Sequence, residues 1–323
     1  MGAALADAVR EQPAQSAEYI SHPMILIPAH AKVNLCLEVR GSRPDGFHDI
    51  DSVALTIDWH DLVGIRLRPA ATTTVRLWVT GDDGAPRGDD NVAVLAARAM
   101  ARVVGPLAAD LWLDKRVPSA AGLGGGSADA AAVLRGSALL VGAGALGPDR
   151  AGRLDDPGLI RLASSLGSDV PMLLGGGTQR MRGRGEALTP LTAPSLHLAV
   201  AIVGASSTAE TYAAVESIDV ESGARADAVA AALEMGDRPH DDQLGSGLEA
   251  AACRVNTALD DRLLALRTAL PEVRWHLTGS GGAAFVLADD VARAEKLAAA
   301  ARDAGFPARA CRSVNGRRPP PAV

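Results

Sequence analysis

Aromatic side chains are scarce. Three Phe, two Tyr and four Trp make up 3% of 323 residues. With 48% apolar residues the chain can still bury a sizeable core, but Ala, Val and Leu must build it. Each remaining aromatic therefore invites a specific role. Cysteine is equally sparse. Cys36, Cys253 and Cys311 are far apart, odd in number and form no CxxC, so neither a disulfide framework nor a zinc site is suggested and a reducing compartment is expected. No apolar run reaches the roughly 18 residues of a membrane span. Glu11, Gln12 and Glu18 interrupt the first 20 or so residues, which do not read as a signal peptide. Excess positive charge is also missing. The net charge of −6 argues against general affinity for nucleic acid or an anionic membrane, while leaving room for a local phosphate pocket. A cytoplasmic protein is expected. Oligomeric state is open.

The length suggests one large domain or two packed ones. Residues 1–22 read as an extension and 315–323 as a tail. One lobe is expected over 23–190 and a second over 191–314. Ile25 to Val39 reads as extended, with Val33, Leu35, Leu37 and Val39 on one face and Lys32, Asn34, Cys36 and Glu38 on the other. Arg43-Pro44-Asp45-Gly46 is a turn by its chemistry. Strands are expected at Asp51–Ile57, Leu62–Leu67, Thr73–Val79, Leu111–Leu113, Leu196–Val203, Trp275–Leu277, Ala283–Leu287 and Ala308–Ser313. Helices are expected at Val92–Val104 (capped by Asp89-Asp90-Asn91), Ser127–Leu140, Leu159–Leu166, Ala224–Glu234, Leu248–Asn256, Leu263–Leu270 and Val291–Ala304. There is no strict βαβ alternation and no internal repeat, so the class is α+β.

Pro118-Ser119-Ala120-Ala121-Gly122-Leu123-Gly124-Gly125-Gly126 joins a strand to a helix. Such a loop can hold phosphates: glycines let the backbone approach, successive N–H groups point inward, and the helix start adds positive potential. Ser127 can offer a hydroxyl and Lys115 a cation. A P-loop would need Lys-Ser or Lys-Thr where Ser127-Ala128 stands, and a GxGxxG from Gly122 would need glycine at 127. A glycine-rich turn without a ligand is the plain alternative.

Three stretches, one of which contains this loop, stand together. They are Ala31-Lys32-Val33-Asn34-Leu35 with Arg43-Pro44-Asp45-Gly46-Phe47-His48-Asp49; Lys115-Arg116-Val117-Pro118 through Ser127-Ala128-Asp129-Ala130-Ala131; and Leu166-Gly167-Ser168-Asp169-Val170-Pro171 with Gly183-Arg184-Gly185-Glu186. Thr278-Gly279-Ser280-Gly281-Gly282 is a weaker fourth. Together they resemble the GHMP kinases, in order, from about residue 25 to about 313. The Arg43–His48 stretch resembles the branch of that family acting on a cytidine diphosphate sugar alcohol, 4-diphosphocytidyl-2-C-methyl-D-erythritol.

The resemblance implies a two-lobed α+β fold with nucleotide and substrate meeting between the lobes. It implies ATP as co-substrate with Mg²⁺, and Lys32 and Asp169 as the catalytic pair. Alone, Lys32 reads as an exposed strand lysine and Asp169 as a helix cap. Lys115 and the run from Pro118 to Ala128 would hold the nucleotide. Phe47 and Tyr212 would sandwich the cytosine, His48 would read its edge, and Asn34 and Thr208 would contact the substrate. No residue is assigned to the metal. The chain departs from the family at Ala128, where a second serine is common; at Phe47, usually Tyr; at Met172, often Phe; and at Ser246-Gly247-Leu248, where Asn-Asp-Leu is usual.

Overall fold

A computed structural model describes residues 22–81, 84–150, 155–215 and 224–315. The expected extension and tail lie outside these residues, apart from His22 and Asn315. In chain order the elements are β1 (Ile25–Ser42), β2 (His48–Pro69), β3 (Thr74–Gly81), α1 (Val92–Val104), β4 (Leu107–Lys115), α2 (Gly125–Gly142), α3 (Asp156–Leu166), α4 (Val170–Gly175), β5 (Thr178–Gly183), β6 (Ala187–Leu191), β7 (His197–Ile202), α5 (Thr208–Ala213), α6 (Ala224–Glu234), β8 (Gly245–Ser246), α7 (Glu249–Val255), α8 (Thr257–Ala269), β9 (His276–Leu277), β10 (Ala283–Ala288), α9 (Val291–Asp303) and β11 (Ala308–Arg312). The class is α+β, as the sequence suggests.

The chain forms two compact units interleaved in sequence. One comprises residues up to 30, 60–118 and 125–174; the other comprises 31–59, 119–124 and 175 onward. Strands β1 and β2 each pass from one unit into the other.

In the first unit β4 pairs antiparallel with the far half of β2, from Leu62 opposite Asp114 to Pro69 opposite Leu107. It pairs parallel with β3 on its other edge. Asn91 caps α1 by accepting from the Ala93 N–H, the local reason the helix starts there. The alanines of α2 let it lie close to the sheet. At Gly136 a Cβ would come 2.4 Å from Ile65 Cδ1, so no larger residue fits. Asp155 caps α3, which begins one turn earlier than its apolar pattern suggests.

Strand β2 corrects one expectation. The segments 51–57 and 62–67 are a single strand of 22 residues. The polar run Asp58-Trp59-His60-Asp61 between them imitates a turn, but its carboxylates have partners inside the protein. Asp58 accepts from Arg312 N–H, and Asp61 from Lys115 and two backbone N–H groups.

In the second unit β1 and β2 form a hairpin across residues 43–47, closed by Arg43 N–H to Phe47 C=O and Gly46 N–H to Arg43 C=O. Strand β5 pairs antiparallel with β2, and β6 with β5. The two-residue β8 pairs parallel with β1. A separate antiparallel sheet has the order β11-β7-β10-β9. Its apolar face buries Leu259, Leu263 and Leu266 of α8 and Leu297 and Ala298 of α9 around Trp275 and Val286. Helix α8 starts six residues before its expected beginning because Asn256 caps it and Leu259 is already buried. Strands β5 and β6 and helices α4 and α5 were not anticipated; all are six residues or shorter, too short for a periodic signal.

Candidate active site

The second unit gathers several expected residues around the loop 278–282. Asn34 N–H donates to Thr278 Oγ1 at 2.8 Å. On the same strand, Lys32 Nζ donates to Asn34 Oδ1 at 2.5 Å, and Asn34 Nδ2 to Ser52 Oγ at 2.8 Å. Lys32 is 6% exposed, so its amine is a placed, largely desolvated cation instead of the exposed strand lysine of the plain reading. At Gly279 a Cβ would stand 3.2 Å from Lys32 Nζ and 3.1 Å from Asn34 Oδ1. Glycine keeps the space beside that amine clear. Ser246 Oγ donates to Gly279 C=O at 2.6 Å, so the departure at 246 still braces this loop.

The same loop carries the glycine run. Gly122 has φ +73°, and a Cβ there would lie 2.1 Å from Gly281 C=O; a Cβ at Gly282 would lie 2.7 Å from the Ala121 backbone. The two loops are thus packed backbone against backbone. Lys32 N–H donates to Leu123 C=O at 2.9 Å, which fixes the lysine strand to the glycine run. Thr208 starts α5, capped by Ser207, and its Oγ1 bonds Ser280 Oγ at 2.8 Å.

Not every glycine-run residue can meet a ligand with its side chain. Ala121, Leu123 and Ala128 are 1–2% exposed and serve packing. A hydroxyl at position 128 would be buried. The accessible positions are Pro118, Ser119, Ala120, Gly122, Gly124, Gly125, Gly126 and Ser127. Gly125, Gly126 and Ser127 form the first turn of α2, whose N–H groups have no partner within the helix. A Cβ at Gly126 would meet nothing within 4 Å. This is the geometry of an anion-binding helix start.

Lys115, expected to offer its cation to a phosphate, spends that charge inside the first unit. Its Nζ donates to Asp61 and, at 2.7 Å, to Asp129 Oδ2. The sequence offered no sign of this trio, because its members lie on three different elements. Removing one partner from such a buried set costs about 3–5 kcal/mol.

Asp169 also lies in the first unit, half-buried, immediately before α4. Its C=O accepts from Leu173 N–H. It therefore stands at a helix start, as Gly167 and Pro171 around it suggest.

The second unit also places aromatic rings at the hairpin that joins β1 and β2. The hairpin 43–47 is held by Arg43, which pairs with Asp45 and Asp49, and presents Phe47 at 47% exposure. The Arg184 guanidinium stacks on Phe47, 3.5 Å from the ring centroid. His48 packs on Tyr212 with ring centroids 5.5 Å apart and 33° between planes, and its Nε2 lies 3.2 Å from Ser42 Oγ. In the same unit, Arg40 and Arg180 clamp Asp51. Burial raises the Asp51 pKa, but the Arg180 and Arg40 hydrogen bonds outweigh it and leave the carboxyl below its ordinary value. In the sequence Arg184 belongs to the Gly183–Glu186 motif with no site role; only the fold of β5 and its turn brings it onto Phe47.

The second unit thus holds a placed, buried lysine, and the first unit a glycine-rich helix start and a carboxylate at a second helix start. Residues 91–177 match the family model of the GHMP kinases N terminal domain. A curated relative from Pelotomaculum thermopropionicum, named 4-diphosphocytidyl-2-C-methyl-D-erythritol kinase, is 36% identical over 84% of this chain and 91% of its own length. A crystal structure of 4-(cytidine 5'-diphospho)-2C-methyl-D-erythritol kinase superposes with a TM-score of 0.72 at 32% identity, covering 90% of this chain and all of that one. A homoserine kinase from Cytophaga hutchinsonii shares the fold alone, with a TM-score of 0.64 at 18% identity over 95% of this chain and 98% of that one. The chain belongs to the family of 4-diphosphocytidyl-2-C-methyl-D-erythritol kinases.

Proposed function

We propose that the protein transfers the γ-phosphoryl group of ATP to the 2-hydroxyl of 4-diphosphocytidyl-2-C-methyl-D-erythritol, in the methylerythritol phosphate route to isoprenoids. One observation carries the substrate choice. In a chain with three Phe and two Tyr, one of each serves consecutive residues of the same hairpin end: Phe47 lies under Arg184, and the next residue, His48, packs on Tyr212. A flat base with a hydrogen-bonding edge suits such rings, whereas mevalonate or homoserine has no use for them.

In the proposed mechanism the N–H groups at the start of α2 hold the nucleotide's phosphates. Asp169 accepts the proton of the substrate hydroxyl as its oxygen bonds to the γ-phosphorus and the bond to the ADP oxygen breaks. Lys32 stabilises negative charge on the reacting oxygens from a site already stripped of most water, so little reorganisation is needed. Asn34 fixes the lysine's rotamer through the 2.5 Å bond. Among the described residues no three His, Cys, Asp or Glu side chains are grouped for a metal. That fits a Mg²⁺ carried mainly by nucleotide phosphates with one or two protein oxygens, and does not fit a dedicated protein cage. When bound, Mg²⁺ would neutralise phosphate charge. Among the described residues no helix is long and apolar enough to cross a membrane, and the three cysteines are free thiols; a reducing cytoplasm is the setting we infer.

The test is to incubate the protein with ATP and Mg²⁺ and a panel of alcohols, following ADP release. Phosphorylation of the cytidine diphosphate substrate, without turnover of mevalonate or homoserine, is expected. Comparable turnover of mevalonate would sink the substrate reading.

A further inference from the structure

Three charged side chains meet inside the first unit with almost no access to water. The side chains of Lys115, Asp61 and Asp129 are 3%, 0% and 3% exposed. Strand β2 supplies Asp61, β4 supplies Lys115 and α2 supplies Asp129, so one point ties three elements together. Asp61 is fully bonded: it accepts from Lys115 Nζ and from the backbone N–H groups of Arg116 and Val117. Asp129 is not. Its Oδ2 accepts from Lys115, while its Oδ1 is buried without a partner.

Two carboxylates against one ammonium would leave a net negative charge in a region of low polarity. Burial favours the neutral form of a carboxyl, and the carboxyl with fewest donors gives up its charge first. Burial pushes Asp129 up to about 7, against the pull of Lys115 and with the help of Asp61. Burial also disfavours the charge on Lys115, but Asp129 and Asp61 outweigh it and hold the amine charged. Helices α1 and α3 pack on α2, and none of their charged groups is bonded to Asp129. Arg98 of α1 pairs with Asp89, and Arg161 of α3 with Asp155.

The trio sits directly beneath the glycine turn. A Cβ at Gly125 would lie 3.4 Å from Lys115 Nζ. Asp129 follows Gly125 by one helical turn, about 6 Å along the axis.

We propose that Lys115, Asp61 and Asp129 form a proton-holding brace that positions the start of α2, and that Asp129 takes up a proton when a nucleotide's phosphates arrive there. This rests on the nucleotide-binding reading above. Lys115 is then a positioning residue and not a phosphate ligand. Incoming phosphate charge repels a second negative charge one turn away and favours the protonated carboxyl. Protonated Asp129 therefore belongs to the tighter-binding form. Nucleotide affinity is full below the free-protein pKa near 7 and falls as pH rises through it, by about tenfold in all and about threefold per pH unit at its steepest if binding raises the carboxyl by about one unit.

The test uses ADP, which binds without turnover. Calorimetric titrations in two buffers of different protonation enthalpy count the protons taken up, and affinity is followed from pH 6 to pH 8.5. The wild type is expected to take up about half a proton near pH 7.5 if binding raises the carboxyl by about one unit. Asp129→Asn should take up that much less and lose the alkaline fall in affinity. Subtracting the variant also removes the ligand's own titration. Equal proton uptake and parallel pH profiles in the two proteins overturn the brace while leaving the kinase reading intact. A wild type that binds no nucleotide overturns both. Should Asp129→Asn fail to fold, the wild type decides alone. At a pH where the ADP phosphates are fully ionised, proton uptake together with a carbon-13 aspartate carboxyl signal titrating near 7 in the free protein supports the brace; absence of either overturns it.

Discussion

Gly126→Ala is expected to make the protein slightly more stable and a much poorer nucleotide binder. The two effects come from different parts of the structure. Gly126 lies in the first turn of α2, its φ is outside the left-handed region, and a Cβ there would meet nothing within 4 Å. Alanine therefore adds no clash and removes freedom from the unfolded chain, a gain of about 0.4–1 kcal/mol. For a chain of this size that raises Tm by about 0.5–1.5 °C. The open space at Gly126 is the approach to the N–H groups of the helix start. A phosphate oxygen must come within about 3 Å of those nitrogens. A methyl group in the approach should weaken nucleotide binding at least tenfold, about 1.4 kcal/mol. Thermal unfolding reads the first effect and calorimetry with ADP the second. Gly122→Ala is the contrasting variant. Its φ of +73° costs about 1–2 kcal/mol for any side chain, and its Cβ would lie 2.1 Å from Gly281 C=O. It should lose stability outright. A Gly126→Ala protein of raised Tm and unchanged ADP affinity would place the phosphates elsewhere and refute the reasoning.

Asp169→Asn keeps shape and removes basicity, so kcat should fall by about 10²–10⁴ with little change in ATP affinity. Lys32→Met should also cost rate, and the two losses should be non-additive if both act on one transition state; near-wild-type turnover of folded Asp169→Asn would demote that carboxylate to positioning. Phe47→Ala and Tyr212→Ala should each raise KM for the cytidylyl substrate, with about 1–3 kcal/mol per stacked ring at stake. Arg184→Ala should raise it less, about 2–5-fold, for the lost cation–π support of Phe47 worth about 0.5–1 kcal/mol. Unchanged KM in all three would return these side chains to ordinary surface packing.

The sequence by itself determined the local features: the capped helix after Asn91, the strand–glycine–helix loop, the turn at Arg43–Gly46 and the α+β class. Each is written in residues adjacent along the chain, where Asn, Gly and Pro act on their own backbone. Order of motifs also carried the family, because four separate stretches stand in one sequence. What depended on contacts across hundreds of residues was decided only in three dimensions. Asp58-Trp59-His60-Asp61 reads as a break because polar residues in a strand need partners. Those partners, Lys115, Arg116, Val117 and Arg312, come from far along the chain. Lys115 looks like a free cation until Asp61 and Asp129 close on it from two other elements. Arg184 acquires a role only when β5 pairs with β2 and lays its turn over Phe47. Thr278-Gly279-Ser280-Gly281-Gly282, the weakest motif by sequence, ties down Asn34 and Thr208 through its Thr278 and Ser280 hydroxyls and the glycine run through a backbone that lets another backbone come close. Local chemistry names candidate residues; burial and pairing decide which charges are spent inside the fold and which remain for a ligand.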